Sequence, residues 1–422
     1  MILTISTLLS TSLWEEKTMN DIVLNKDQQK AADAAVNWFY HSSEQTFQIA
    51  GPAGTGKSVV ISAILERLNL NPSQVLPMAY TGQACTIMRK RGMPKACTTH
   101  SGLFTPVQTV VKDEHGNVKM NKQFNVPLVK WNFVPKDFTN SGIELIILDE
   151  AWMIPDHFKR HIDNTGIKVL ATGDPGQLPP VGGAPGYLIN GTIYYLTELM
   201  RQAENSPIVY LATRARQGLP IETGMYGNDV LVIFDDELDN DIIARSNVVL
   251  CGKNATREFI NNKVRHEILG FYTDYPLYGE RIICRKNNWD REVEGIHLVN
   301  GLTGTVITPA DIGRFNGYTM RIDFLPDLLD VPFSNVEINH KYLNASRAEK
   351  EALKINPYLD GELFEYAYAS TVHLSQGSEY DCGTYVEEFL RSDMQNALNY
   401  TAITRFKHQM VYVKHRPKFW TF

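Results

Sequence analysis

Residues 46–58 read TFQIAGPAGTGKS, and this stretch decides the fold. A short apolar run leads into the glycine-rich residues 51–58, and the residues that follow, VVISAILERL, have the apolar spacing of a helix. Strand, glycine-rich loop and helix in this order are the context in which the P-loop pattern G-x-x-x-x-G-K-[ST] is meaningful. Glycines let successive N–H groups converge on phosphate oxygens, and the following helix adds its positive N-terminal end. The stretch therefore predicts a nucleoside triphosphate site.

Two side chains of this loop carry the predicted chemistry. Lys57 can reach the β- and γ-phosphates, and the Ser58 hydroxyl can ligate Mg²⁺. The predicted nucleotide-binding residues of the loop are Gly51, Pro52, Ala53, Gly54, Thr55, Gly56, Lys57 and Ser58.

Composition bounds the class of protein. With 422 residues, 43% hydrophobic and 21% charged, the chain is expected to be soluble and to form two to four domains. Its net charge of −6 argues against coating nucleic acid by bulk charge but leaves room for a local basic channel. Five cysteines without a C-x-x-C pair disfavour a disulfide framework or a structural zinc, and indicate a reducing cytosol.

The first residues, 1–20, are expected to be an extension outside the folded domains. They are apolar but lack the basic start of a signal peptide and are too short to span a bilayer. A disordered extension and a misassigned start are both compatible with this segment. We expect no membrane association and a cytoplasmic location.

Two further apolar runs end in polar residues suited to phosphate chemistry. Residues 143–148, IELIIL, predict a buried parallel strand that ends at Asp149 and Glu150, and residues 167–171 lead into GDPGQLPPV. Strands alternating with helices indicate an α/β fold with a doubly wound parallel sheet, whose ligand lies at the carboxyl ends of the strands. Asp149 can hold the metal, Glu150 can act as general base, and Gln177 can reach the γ-phosphate.

The second half of the chain repeats the strand and helix pattern. Strands are predicted at residues 247–251, 281–284 and 410–413, and a helix at residues 255–269. Residues 105–124 alternate apolar and polar around a turn at residues 113–117, which predicts a β-hairpin. Between Glu66 and Asp113 the chain carries basic but no acidic residues, which suits either a phosphate-facing surface or a solvated face.

Hydrolysis of a phosphoryl bond needs cations for the charge that develops, and such arginines often come from another domain. Arg201 in LTELMRQ and Arg405 in NYTAITRFK are the candidates. Spacing alone would allow either to be an ordinary surface arginine. The sequence motifs around Arg201 and Arg405 distinguish these two residues from ordinary surface arginines.

These motifs, taken in order, resemble those of superfamily 1 helicases of the Dda/RecD-like group, from about Leu24 to the C-terminus. The matching segments are LNKDQ (Q motif), GPAGTGKS (I), AYTGQA (Ia), TTHS (Ib), LDEAWM (II), GDPGQLPPV (III), LTELMRQ (IV), STVHLSQGSEYD (V) and YTAITRFK (VI). The Q-L-P-P-V ending resembles the branch that moves 5′ to 3′.

The resemblance implies roles for individual residues. Gln28 would read the adenine of ATP, and Glu379 would contact the ribose. The catalytic set would be Lys57, Glu150, Gln177, Arg201 and Arg405, with Mg²⁺ held by Ser58 and Asp149. The DNA-binding residues would be Thr81, Gly82, Gln83, Thr99, His100, Thr371, His373, Ser375 and Gln376. Leu374 and Gln83 stand where the family often has basic residues, which predicts a shallow salt dependence of DNA binding.

The resemblance also implies a domain plan with two RecA-like P-loop NTPase cores. Core 1A would span residues 21–200, with a hairpin insertion 1B at 103–135. Core 2A would span residues 201–307 and 366–422, with a β-rich, SH3-like insertion 2B at 308–365.

The implied function is an ATP-dependent DNA helicase that moves 5′ to 3′ as a monomer on single-stranded and tailed duplex DNA. Single-strand-binding or replication proteins would be further partners. The alternatives are a single-strand translocase that displaces proteins, and a regulatory ATPase subunit of a replication or recombination complex.

Overall fold

The computed structural model describes residues 23–121, 125–200, 204–311, 319–327, 329–353, 361–389 and 394–416. The predicted extension at residues 1–20 lies outside these ranges, and so does Arg201. Within the described part of the chain, no helix is both long and apolar enough to cross a membrane.

The first core is a six-stranded sheet in which all neighbouring strands run parallel. In spatial order its strands are Ile193–Tyr195, Thr46–Ala50, Lys168–Gly173, Leu145–Asp149, Val75–Ala79 and Cys97–Thr98. Its helices are Lys26–His41, Lys57–Leu68, Gly82–Lys90, Thr99–Leu103 and Asp156–Asp163. The predicted parallel sheet is confirmed, and the P-loop, Asp149 and Asp174 follow three adjacent strands at one edge.

The helix before the P-loop strand, Lys26–His41, has a capped N-terminus. Asn25 caps it: the Asn25 side chain accepts a hydrogen bond from the Gln28 backbone N–H at 2.9 Å. In return the Asn25 backbone N–H donates to Gln28 Oε1 at 2.9 Å. This reciprocal capping box satisfies two N–H groups that the helix leaves unpaired.

The second core is another six-stranded sheet, parallel except for its first pair of strands. In spatial order its strands are Gly224–Tyr226, Val230–Phe234, Phe406–Lys414, Tyr380–Val386, Val249–Cys251 and Ala369–Thr371. Its helices are Pro207–Arg216, Asn240–Ala244, Asn254–Lys263 and Gln395–Ile403, and a π-helical turn at Val264–Ile268 extends the third of them.

A separate five-stranded antiparallel sheet corrects part of the sequence interpretation. In spatial order it contains Phe333–Asn339, Thr319–Pro326, Thr303–Val306, Arg281–Cys284 and Phe364–Tyr366. Its helices are His340–Asn344 and Arg347–Ala352, and a two-stranded ribbon, Asn288–Val293 with Ile296–Leu298, accompanies it.

We predicted that residues 281–284 belong to the second core and that the β-rich insertion begins at residue 308; both assignments are wrong. Ile283 pairs antiparallel with Thr303 on one side and Glu365 on the other. A four-residue apolar strand fits the interior of either sheet, and only its distant partners decide which one it joins. The SH3-like character of the insertion stays a prediction.

The predicted hairpin is present but is longer and paired differently. Phe104–Val110 pairs antiparallel with Val129–Pro135 along its whole length. The predicted turn at residues 113–117 forms, because Asp113 Oδ1 accepts hydrogen bonds from the backbone N–H groups of His115 and Asn117 at 2.9 and 2.8 Å. Two short strands, Met120–Asn121 and Val126–Pro127, lie beyond it. The return strand at residues 129–135 replaces the one expected before residue 124.

Candidate nucleotide and nucleic-acid sites

A cavity of about 930 Å³ lies between the two parallel sheets. Of the residues predicted from sequence, it is lined by Ala53, Gly54, Gly56, Lys57, Ser58, Asp149, Glu150, Gln177, Glu379 and Arg405. Its walls come from both cores, because Glu379 and Arg405 border strands of the second sheet. A volume of this size accommodates a nucleotide.

The P-loop has the shape that its glycines predict. Gly54 and Gly56 have φ of 84° and 75°, in the left-handed region that side chains rarely adopt. A Cβ at Gly56 would lie 2.5 Å from Gln28 Nε2 and 2.7 Å from Met200 Sδ. The loop is therefore held from behind by two other segments, with no space for a larger residue.

Lys57 and Ser58 begin the helix that follows the loop. Lys57 Nζ donates hydrogen bonds to the carbonyl oxygens of Gly51 and Pro52 at 2.8 and 3.3 Å. Ser58 Oγ accepts one from Arg91 Nη1 at 2.7 Å. An ammonium, a hydroxyl and the N-terminus of a twelve-residue helix line one cavity, and this donor set fits a metal-bound triphosphate.

Gln28 is not brought into this cavity. Its side chain is 2% exposed, and Nε2 donates to the carbonyl oxygen of Thr55 at 2.9 Å while Oε1 accepts from Asn25. Both ends of the amide are thus used to join the first helix to the P-loop. The predicted contact of Gln28 with adenine is not supported by this arrangement. Thr55 is likewise fully buried, and its hydroxyl donates to Pro52 O at 2.8 Å.

Asp149 and Glu150 lie side by side at the end of their strand, as predicted. Asp149 Oδ1 accepts hydrogen bonds from Thr172 Oγ1 at 2.9 Å and from the Glu150 backbone N–H at 3.0 Å. Glu150 has φ of 50°, a strained conformation of the kind found at functional sites. Burial raises the pKa of Glu150, and although Arg405 works to lower it, the neighbouring Asp149 raises it further. A raised pKa makes the ionised carboxylate a stronger base.

Gln177 is held at both of its ends. Arg405 Nη2 donates to Gln177 Oε1 at 3.3 Å, and Trp152 Nε1 donates to the Gln177 backbone oxygen at 2.9 Å. Arg405 is 4% exposed and also donates to the carbonyl oxygens of Thr401 and Ser378 at 3.2 and 3.3 Å. The structure thus brings together the predicted arginine of one core and the predicted glutamine of the other. Trp152 therefore supports the loop that carries Gln177.

Arg201 lies outside the described residues, and its predicted role stays a prediction. Its neighbour Met200 is described: its backbone N–H donates to Gly54 O at 2.9 Å, and it lines the cavity. The chain immediately before Arg201 is therefore anchored on the P-loop.

Two cations that sequence reasoning did not single out surround Glu379. Arg91 Nη2 lies 3.2 Å and Lys407 Nζ 3.0 Å from the two carboxylate oxygens of Glu379. Burial works to raise the pKa of Glu379, but Arg91 and Lys407 outweigh it and hold the pKa below its ordinary value. Arg91 belongs to the basic stretch before Asp113, and in the structure it faces the nucleotide cavity.

A second cavity, of about 400 Å³, lies where the two cores, the hairpin and the antiparallel sheet meet. The predicted DNA-binding residues that line it are Thr81, Gly82, Gln83, His100, His373 and Gln376. Leu374 also lines it, and among its described lining residues there is no lysine or arginine. Burial lowers the pKa of both His100 and His373, so both are neutral at pH 7.

Three of the predicted DNA-binding residues lie beneath this surface instead of on it. Thr99 and Ser375 are fully buried and donate to the carbonyl oxygens of Ala79 and Val372, at 3.1 and 2.9 Å. Thr371 is 5% exposed. None of these three residues lines the second cavity, and their direct contact with DNA stays a prediction. Their hydroxyls are used to hold loops, a common fate of small polar residues at strand ends.

Aromatic side chains that the sequence analysis missed form one wall of the second cavity. Trp289, from the two-stranded ribbon, lies 5.7 Å from the ring of Phe133 on the hairpin, at an interplanar angle of 78°. His100 lies 5.9 Å from the same ring. A single tryptophan in the polar run RKNNWD was the only signal in the sequence. Such rings are platforms on which bases stack.

Comparisons with known proteins agree with this architecture. Residues 23–232 match the AAA domain family. An uncharacterized protein of Acanthamoeba polyphaga mimivirus is 24% identical over 168 residues, which are 38% of this chain and 34% of that protein. The match therefore spans about a third of that relative's length.

Over 93% of its length the chain is similar to solved structures of Pif1 helicases. Pif1 helicases described as coordinating at forked double-stranded DNA match with a TM-score of 0.54 and 19% identity, over 93% of this chain and 92% of theirs. Bacteroides Pif1 with ADP-AlF3 and single-stranded DNA matches over the same shares, with a TM-score of 0.52 and 17% identity. At these identities the comparison establishes the fold, which is the predicted pair of RecA-like cores.

Proposed function

We propose that this chain, a P-loop protein with an AAA domain and the fold of Pif1 helicases, is an ATP-dependent DNA helicase that moves 5′ to 3′ on single strands. The observation that carries the proposal is the cavity in which Lys57, Glu150 and Gln177 of one core face Arg405 of the other. A triphosphate bound there would contact both cores at once. ATP hydrolysis would then remove the group that joins them.

In the proposed mechanism each side chain of the nucleotide cavity has a separate role. Lys57 and Arg405 bind the charged phosphates from opposite sides, and Gln177 orients the attacking water. Glu150 accepts a proton from that water, which its position in the cavity wall and its raised pKa permit. Ser58 and Asp149 would hold Mg²⁺, which supplies positive charge to the reacting phosphate.

A short path of contacts supports coupling of the nucleotide cavity to the second cavity. Gln376, which lines the second cavity, donates to Leu178 O at 2.9 Å. Leu178 follows Gln177, which is bonded to Arg405 in the first cavity. Movement of one core relative to the other would thus change the geometry of both cavities. The second cavity has walls from both cores, so the same movement would change the grip on a strand.

The substrates are proposed to be single-stranded and tailed duplex DNA. Support comes from Bacteroides Pif1, which was solved with single-stranded DNA, and from Pif1 helicases described at forked double-stranded DNA. The direction rests on the Q-L-P-P-V ending of the loop that carries Gln177. We further propose a cytoplasmic monomer, with single-strand-binding or replication proteins as partners.

The test is ATP-dependent unwinding of one duplex that carries either a 5′ or a 3′ single-stranded tail. We expect unwinding from the 5′ tail alone, and Lys57→Ala should abolish it while single-strand binding persists. Unwinding from the 3′ tail alone would reverse the proposed direction. No unwinding from either tail, with ATPase still stimulated by single strands, would favour a translocase or a regulatory subunit.

A further inference from the structure

One phenol of the second core reaches the P-loop of the first. Tyr400 lies on the helix Gln395–Ile403 and is 1% exposed. Its hydroxyl accepts a hydrogen bond from the backbone N–H of Ala53 at 2.9 Å and donates one to Asp174 Oδ2. Both partners belong to the first core. The hydroxyl therefore connects the P-loop to the end of a neighbouring strand through a residue of the other core.

Asp174, which accepts the hydrogen bond from Tyr400, has further partners. Asp174 is fully buried, and its other oxygen accepts from the Gly176 backbone N–H at 2.9 Å and pairs with Arg216 Nη1 at 3.2 Å. The Arg216 guanidinium also lies 5.3 Å above the Tyr400 ring. Burial and the adjacent Asp174 carboxylate raise the pKa of Tyr400, so its hydroxyl remains a donor at neutral pH. Asp174 and Tyr400 are both buried, so the hydrogen bond between the hydroxyl and the carboxylate is costly to lose.

The same segment of the second core carries the candidate catalytic arginine. Directly after Tyr400, Thr401 Oγ1 accepts from the Leu178 backbone N–H at 2.9 Å. Arg405 follows, bonded to Gln177. All three contacts cross from the second core to the first, and of these three the one made by Tyr400 is the one that reaches the P-loop. The Tyr400 hydroxyl thus joins the segment that carries Arg405 directly to the P-loop.

We propose that Tyr400 is a positioning residue whose hydroxyl holds the P-loop and Arg405 in register when the two cores are closed. The inference rests on the proposed function in that it assumes turnover of ATP in this cleft. It implies that Tyr400 contributes to the rate of hydrolysis, because a small displacement of a charged group costs rate. ATP binding, which uses the loop and Lys57, depends on it much less.

The test compares Tyr400→Phe with a matched variant, Tyr385→Phe. Tyr385 is also fully buried, and its hydroxyl donates to Asn399 Oδ1 at 2.8 Å, entirely within the second core. Both variants keep the ring and remove one buried hydroxyl, so Tyr385→Phe controls for the general effect of that loss on the fold. We expect Tyr400→Phe to lower kcat about tenfold with the KM for ATP nearly unchanged, and Tyr385→Phe to retain the wild-type kcat.

The inference is overturned if Tyr400→Phe keeps the wild-type kcat, if its loss appears only in KM, or if Tyr385→Phe loses as much. The wild-type protein separates this result from a failure of the proposed function. If single-stranded DNA does not stimulate its ATPase, the proposed function fails, and the two variants are compared by their basal turnover.

A second measurement needs no turnover. ADP with aluminium fluoride should make the wild-type protein and Tyr385→Phe more compact in small-angle X-ray scattering, and Tyr400→Phe should compact less. Equal compaction of all three would overturn the inference.

Discussion

The second cavity makes a specific prediction about how this protein would hold the single strand that is proposed as its substrate. Its described lining contains no lysine or arginine, so phosphate contacts within it cannot supply the usual electrostatic part of the affinity. Trp289 and Phe133 offer two ring surfaces at 5.7 Å. We therefore expect base stacking to contribute much of the affinity for single-stranded DNA at this cavity. The variant Trp289→Ala should reveal this contribution as a loss of affinity.

The expected size follows from the single ring that is removed. Base–aromatic stacking contributes about 1–3 kcal/mol per base, which corresponds to a loss of roughly 5- to 150-fold in affinity. Trp289→Phe should retain most of the affinity, because it keeps an aromatic face beside Phe133. The slope of affinity against salt concentration should stay unchanged in both variants, since stacking releases no counterions.

The assay is fluorescence anisotropy of a labelled oligodeoxythymidine, titrated at several salt concentrations without nucleotide. Trp131→Ala is the control: Trp131 lies on the same hairpin strand as Phe133 but does not line the cavity. Wild-type affinity in Trp289→Ala would refute the stacking argument. A reduced salt slope in that variant would refute it as well, because it would show that phosphate contacts had been lost.

Three further predictions concern coupling and hydrolysis. By the resemblance to superfamily 1 helicases, we propose that the hairpin insertion separates the two DNA strands. Replacing residues 113–117 by a two-residue turn should then reduce unwinding more than single-strand-stimulated ATPase, because this tip does not line the nucleotide cavity. Equal losses in the two assays would contradict the strand-separating role. Trp152→Phe should lower kcat about fivefold in an ATPase assay, because it removes the hydrogen bond to the backbone oxygen of Gln177, which contributes roughly 1 kcal/mol. An unchanged kcat would show that the loop does not need this hydrogen bond. The value of kcat/KM should rise with pH as Glu150 loses its proton, because only the deprotonated carboxylate can accept one. Since the pKa of Glu150 is raised, the midpoint of this rise should lie above the ordinary pKa of 4.5. A midpoint at or below 4.5 would count against Glu150 as the base.

Much of the nucleotide site could be predicted because its signals are local. A glycine with positive φ, a lysine that begins a helix and two acids after a buried strand each follow from a few neighbouring residues. Strand ends of one parallel sheet meet at one edge, so Lys57, Asp149, Glu150 and Gln177 had to come close together. Arg405 was predicted to belong to the same site from the motif around it, and all five residues line the cavity.

The errors share a different physical cause. The strand Arg281–Cys284 and the return strand of the hairpin were misassigned because short apolar or alternating runs fit more than one partner. Thr99, Thr371 and Ser375, whose contact with DNA stays a prediction, do not line the second cavity. Whether a small polar side chain faces a ligand or a backbone carbonyl depends on the packing around it, which its sequence neighbours do not specify.

The sequence by itself determined that this is a P-loop protein with two α/β cores, because hydrophobic periodicity and loop chemistry act over short distances along the chain. Only the tertiary structure decided which residues meet across the cleft. The hydroxyl of Tyr400 lies between Ala53 and Asp174, and Trp289 faces Phe133, although each pair is far apart in sequence. Such contacts arise when separately folded surfaces pack together, and their free energy depends on a geometry that no local pattern encodes.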